Sequence, residues 1–97
     1  MSENHIKITE SSGNVFMDLG FDTAEAEIMK LRADVMIRTA QRLKEQGWTQ
    51  AEAAQHLGIT QPRVSRLIKG KVEDFSLDML LMLAARAGLH PELQLKP

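Results

Sequence analysis

The sequence contains no cysteine, and other features that mark particular classes of protein are missing with it. Without thiols the chain can form neither a disulfide framework nor a thiolate metal site. Its three histidines, His5, His56 and His90, are too widely separated for a plausible ligand spacing, so we expect no metal and no cofactor. No grouping of serine, histidine and acid indicates catalysis, and we expect a protein that is not an enzyme.

Long apolar runs are absent as well. No stretch approaches the roughly 20 apolar residues that a helix needs to cross a bilayer, and residues 1–10 hold no apolar run typical of a targeting segment. We therefore expect no membrane partner and a cytoplasmic location, which the lack of disulfide chemistry fits. There is no internal repeat, and 97 residues with 43% hydrophobic content predict one modest domain.

Charge is segregated along the chain, although the net charge is only −1. Residues 1–27 carry a net −5, residues 28–47 and 48–71 carry +3 each, and residues 72–97 carry −2. A phosphate-binding face needs a local positive potential, not a positive net charge of the whole chain. This near-neutral chain is therefore compatible with nucleic-acid binding.

The first 20 residues are rich in Ser, Asn, Gly and acids, and we interpret residues 1–20 as a flexible acidic segment with a brief strand at Ile6 and Ile8. Its apolar residues leave a second interpretation open, in which the segment binds a basic partner protein. We assign residues 21–97 to a single folded domain.

That domain has the signals of an all-α bundle of about five helices. Capping residues precede four of the expected helices, and a long helix ends at Gly47. The last helix ends before Gly88, and alternation over residues 92–96 predicts a short terminal β-strand. The expected caps are Asp22, Thr49, Thr60 and Ser76, and the apolar stripe of the long helix is Met29, Ala33, Met36, Ala40 and Leu43.

A helix-turn-helix is predicted between Thr49 and Gly70. A steep turn between two short helices requires a small residue at the close approach, a glycine in left-handed backbone and an apolar residue in the corner. Ala54, Gly58 and Ile59 meet these requirements in order. Trp48 and Ala53 stand where a hydrophobic staple would fix the start of the first helix, Val64 and Leu67 face inward, and His56 is expected at the surface.

Polar residues on the other faces of the second helix are the right types to contact DNA. Glutamine pairs with adenine and arginine with guanine in the major groove, while residues at helix starts and lysines suit phosphates. We therefore expect Gln61, Arg63 and Arg66 to read bases. The expected phosphate contacts are Thr49, Gln50, Thr60, Ser65, Lys69 and Lys71.

The segment resembles the λ-repressor-like, or XRE, helix-turn-helix family. The resemblance rests on Gln50, Ala54, Gly58, Val64 and Leu67, and on Gly70 at the end of the second helix. Residues 13–20 and the run Phe75–Ser76–Leu77 are similar to a subgroup of HigA-type antitoxins. The resemblance implies a homodimeric repressor of operator DNA that also neutralises a RelE/ParE-like toxin. The alternatives are a stand-alone XRE-type regulator and a toxin-binding module that does not bind DNA.

Homodimerisation is expected because one recognition helix covers only a few base pairs. The last helix is apolar on nearly every side, and apolar residues recur near the C-terminus. We therefore predict the dimer interface in this region. Its expected residues are Met79, Met82, Leu83, Leu93 and Leu95.

Overall fold

A computed structural model of the chain describes residues 14–97, and this part of the protein is all-helical. The predicted helical bundle is therefore confirmed. A 3₁₀ turn, Val72–Asp74, separates the last two helices. The helices are α1 (Val15–Asp18), α2 (Thr23–Gln46), α3 (Gln50–Leu57), α4 (Gln61–Ile68) and α5 (Leu77–Arg86). Among residues 14–97, no helix combines the length and the apolar character needed to span a membrane.

The 24-residue helix α2 packs against α1, α4, α5 and the 3₁₀ turn, whereas α3 packs on α4 and α5. Its start is a capping box, in which the Asp22 carboxylate accepts from the Glu25 N–H at 2.8 Å and the Glu25 carboxylate accepts from the Asp22 N–H at 3.2 Å. Its end is Gly47, in left-handed backbone at φ +70°. The predicted apolar stripe is buried at Met29, Met36 and Leu43, with Ala33 and Ala40 half-buried.

The three following helices begin at the predicted caps. The side-chain oxygens of Thr49, Thr60 and Ser76 each accept a hydrogen bond from the backbone N–H three residues later. Their apolar sides contribute, together with that of α2, to one core. Its fully buried side chains include Leu57, Val64, Leu67, Leu80 and Leu83.

Two predicted features of the C-terminal region are wrong. Leu83 has no exposed area, so it closes the core of its own chain and is not a surface contact for a second copy. Residues 92–96 form no strand, because no other extended segment within residues 14–97 is there to complete a hydrogen-bonded ladder. Leu93 and Leu95 are exposed instead, Leu95 to 92%.

Helix α1 has no counterpart in the sequence-based prediction. The Asn14 side chain caps it by accepting from the Phe16 N–H at 2.9 Å, and the same side chain donates to the Ala26 carbonyl at 2.8 Å. The rings of Phe16 and Phe21 meet edge to face at 6.0 Å. Residues 14–21 therefore pack on α2, while the strand at Ile6 and Ile8 and most of the predicted flexible segment lie outside the described residues.

One acidic side chain of α2 is buried. Asp34 on α2 is 7% exposed, and the Lys30 ammonium lies 3.3 Å from one of its carboxylate oxygens. Burial raises the pKa of Asp34 above the ordinary 3.8, more than the Lys30 charge lowers it. The ionised form therefore costs the native state free energy.

Asp34→Asn should raise the free energy of unfolding at pH 7, because the amide keeps an acceptor for Lys30 without a buried charge. The native pKa lies above the unfolded one, so the wild-type penalty is complete above the native pKa and vanishes as pH falls below about 3.8. Urea unfolding at pH 7, 5 and 4 should show the advantage of the variant shrinking. Glu27→Gln, an exposed site on the same helix, controls for loss of charge, and an advantage independent of pH would contradict the assignment.

Candidate nucleic-acid interface

The turn between α3 and α4 has the predicted geometry. Gly58 ends α3 in left-handed backbone at φ +72°, and the next N–H, from Ile59, donates to the Ala54 carbonyl at 3.1 Å. Ala54 is buried where the helices approach, and Ile59 is partly buried against the core. The helix-turn-helix is thus held by the residues on which its prediction rested.

The entry into α3 is held by an aromatic pair as well as by its cap. The ring of Trp48 packs against the core and stacks on the His56 imidazole, with 3.9 Å between centroids and 4° between planes. His56 is exposed, as expected, and Ala53 is buried. The stack joins the last turn of α3 to the loop that precedes its first turn.

Helix α4 ends in a turn that reverses the chain. The Gly70 N–H donates to the Leu67 carbonyl at 3.2 Å, and the Lys71 N–H donates to the Arg66 carbonyl at 3.0 Å. This paired pattern with a left-handed glycine, here at φ +79°, is a Schellman motif. As a consequence the 3₁₀ turn lies beside α4, and its last residue, Asp74, reaches that helix.

The outward face of α4 carries the predicted polar residues. Gln61, Arg66 and Lys69 are exposed and Ser65 is half-buried, and spacings of three and four residues place them on adjoining turns of one side. No acid lies in the first turn of α4, whereas Glu52 lies in the first turn of α3. The positive end of the α4 dipole is therefore not neutralised by a carboxylate of its own first turn.

Arg66 forms an ion pair with Asp74. Its Nη1 lies 2.8 Å from the Asp74 Oδ2, while its side chain remains 58% exposed and that of Asp74 33% exposed. An ion pair this exposed contributes about 0 to 1 kcal/mol to stability. The more important effect is on position, because the pair restrains the guanidinium that was predicted to read a base.

Arg63 lies apart from the outward face. Its guanidinium carbon stands 4.5 Å from the centroid of the Phe75 ring, a cation–π contact, and its Nη2 lies 3.5 Å from the Asp74 carbonyl oxygen. The side chain is half-buried. Asp74 and Phe75 are the residues of this region that the sequence-based site prediction missed, since both lie outside the helix-turn-helix segment.

The remaining predicted phosphate contacts differ in the donors that they offer. The Thr49 N–H already donates to the Glu52 carboxylate at 2.8 Å, so this N–H is less available to donate to a phosphate. The Thr60 oxygen accepts from the Arg63 N–H at 3.3 Å. Gln50 begins α3 and Lys71 is the last residue of the Schellman turn, and both have exposed side chains.

Other binding chemistry is sparse in the described part of the chain. Residues 14–97 contain no group of three or more histidine, aspartate or glutamate residues that could hold a metal ion. A shallow groove of about 340 Å³ lies between α2 and the end of α4, with mostly apolar walls that include Ile37, Trp48 and Ile68.

The role of Gly58 in the turn can be tested by comparison with Gly47, which has a similar left-handed backbone conformation. Gly47→Ala, with nothing within 4 Å of the new Cβ, should cost about 1 to 2 kcal/mol for the left-handed backbone alone. Gly58→Ala should cost about 0.5 to 1.5 kcal/mol more, because its Cβ would lie 3.1 Å from the Arg86 Nη1 and disturb the hydrogen bond of that nitrogen to the Leu57 carbonyl. Urea denaturation of both variants measures the difference. Equal losses would mean that Arg86 moves aside freely.

Comparison with known proteins agrees with this geometry. Residues 15–96 match the model of a family described as a helix-turn-helix domain, and no curated protein matches the chain significantly. The match extends from α1 through α5 and past it, and so includes the turn at Gly58 and the outward face of α4. It indicates a DNA-binding regulator, and the chain belongs to this helix-turn-helix domain family.

Proposed function

We propose that the protein is a sequence-specific repressor that binds operator DNA as a homodimer, with α4 in the major groove. The observation that carries the proposal is the division of α4 into two faces. Val64 and Leu67 are completely buried, whereas Gln61, Arg66 and Lys69 are exposed. A helix fixed by one face and polar on the other is what recognition from the major groove requires.

The outward residues divide into two roles. Gln61 suits the paired donor and acceptor of adenine, and Arg66 suits the two acceptors of guanine. Lys69, together with Ser65, suits the phosphates that set the position of the helix on the duplex. The placement of Arg63 over Phe75 favours Gln61 and Arg66 as the base readers, because Arg63 must leave that ring to reach a base.

Exposed apolar residues near the C-terminus support a homodimer. Met82 is 46% exposed and Leu93 53% exposed, and Met79, one turn before Met82 on α5, is half-buried. Two-fold pairing would place two copies of α4 about 34 Å apart, one turn of the duplex. A footprint with two half-sites at this spacing is therefore part of the proposal.

Arg66→Ala and Lys69→Ala should separate base recognition from phosphate contact. Arg66→Ala should weaken operator binding about 5- to 150-fold and relax preference at one base position. Lys69→Ala should weaken binding to all duplexes alike and reduce the slope of log affinity against log salt by about 0.9. The operator is first selected from random duplexes with the wild-type chain, and titrations then cover several salt concentrations. Unchanged binding in both variants would exclude this orientation of α4.

A second function, neutralisation of a RelE/ParE-like toxin, is supported by the surface near the N-terminus. Val15, Met17 and Leu19, in and just after α1, are exposed to 60%, 48% and 67%. They lie within the stretch that carries a net −5. Exposed apolar side chains in an acidic stretch suit a basic protein partner, and the resemblance to HigA-type antitoxins favours a toxin.

Co-expression with the neighbouring reading frame tests this second function. The neighbour should be harmful alone and harmless with the wild-type chain, and Val15→Asp should abolish protection while operator binding stays unchanged. Ile37→Asp, at a similarly exposed apolar residue on α2, is the matched control and should protect like wild type. A neighbour that is harmless by itself would count against the antitoxin role and leave the repressor proposal untouched.

A further inference from the structure

We infer that Asp74 is a specificity-determining positioning residue, which holds the Arg66 guanidinium in the orientation that α4 presents to a base. The inference rests on the proposed DNA binding by α4. Asp74 lies outside the helix-turn-helix segment and acts through Arg66 rather than by touching DNA.

The geometry of the contact leaves Arg66 able to bind a base. The ion pair uses one nitrogen, Nη1, at 2.8 Å from the Asp74 Oδ2. A guanidinium has five N–H donors in a rigid plane, so the edge formed by Nη2 and Nε stays available for two parallel hydrogen bonds. Because the side chain is 58% exposed, the guanidinium is restrained without being covered.

The position of Asp74 is itself well supported. The Schellman turn at Gly70 returns the chain toward α4, and the Asp74 N–H donates to the Lys71 carbonyl at 3.0 Å. The next residue, Phe75, is 2% exposed and fixes the end of the 3₁₀ turn in the core. Asp74 is thus attached to the folded core directly beside its contact with Arg66.

Restraint of this kind favours specific over non-specific binding. A free arginine on α4 could turn to the nearest phosphate and bind any duplex, whereas an oriented one meets its hydrogen-bonding partners only at a matching base. The carboxylate also lowers the local attraction for phosphates. Asp74 therefore makes affinity for the operator depend more strongly on the base opposite Arg66.

Asp74→Asn tests the inference against a neighbouring charge. The control is Glu73→Gln, which removes one negative charge from the same 3₁₀ turn at a residue without an ion pair to any other residue in the range 14–97. Binding is measured to the operator selected by wild type, to the same duplex changed at the base that Arg66 reads, and to a scrambled duplex. Both variants should bind scrambled DNA more tightly, but only Asp74→Asn should lower discrimination at that base, by about 2- to 5-fold.

A double-mutant cycle shows whether Asp74 acts through Arg66. In an Arg66→Ala background, Asp74→Asn should leave base discrimination unchanged, while the tighter binding to scrambled DNA remains in both variants. Equal discrimination by Asp74→Asn and Glu73→Gln in the wild-type background would overturn the inference and leave DNA binding by α4 intact.

A measurement without DNA separates the two proposals further. In the wild-type chain the ¹⁵N relaxation of the Arg66 Nε–H should show an ordered group, and in Asp74→Asn a mobile one. Equal mobility in both would overturn the positioning role even if the chain binds its operator. Absence of binding to any duplex would instead overturn the proposed function and with it the role of Asp74.

Discussion

The structure depends on burial of the inner sides of two helices that are too short to exist alone. Helices α3 and α4 have eight residues each, below the length at which isolated helices are more than marginal in water. Leu57, Val64 and Leu67 are completely buried against the rest of the core. Every exposed polar group of α4 is therefore held in place by apolar contacts on the opposite side of the same helix.

Local signals in the sequence were enough to predict most of this framework. The side-chain oxygen of Thr49 and the left-handed conformation of Gly58 act within a few residues, so their effects can be inferred without knowing the fold. The same is true of the apolar stripe of α2. Helix α1 was not predicted, because its single turn depends on Asn14 reaching the Ala26 carbonyl and on the contact of Phe16 with Phe21. Those contacts exist only after the chain has folded back on α2.

In the candidate site, too, some features follow from the sequence and others depend on tertiary contacts. The exposure of Gln61 and Lys69 follows from helical periodicity, and the sequence predicts it. The orientation of the two arginines does not follow from periodicity, because it is decided by Asp74 and Phe75, eight and twelve residues beyond Arg66 and Arg63. Side chains this long take their direction from tertiary neighbours. A motif identifies which residues stand on a face, but it does not show what else those residues touch.

The stack of Trp48 on His56 gives the chain an intrinsic fluorescence probe. Trp48 is the sole tryptophan of the sequence, and the sequence has no tyrosine, so excitation near 295 nm reports one position only. That position is the joint between α2 and α3, where the indole is held 3.9 Å from an imidazole that can quench it. Separation of α3 from α2 would change the emission of this one ring without any label. Loosening of the helix-turn-helix is thereby distinguishable from changes at either end of the chain.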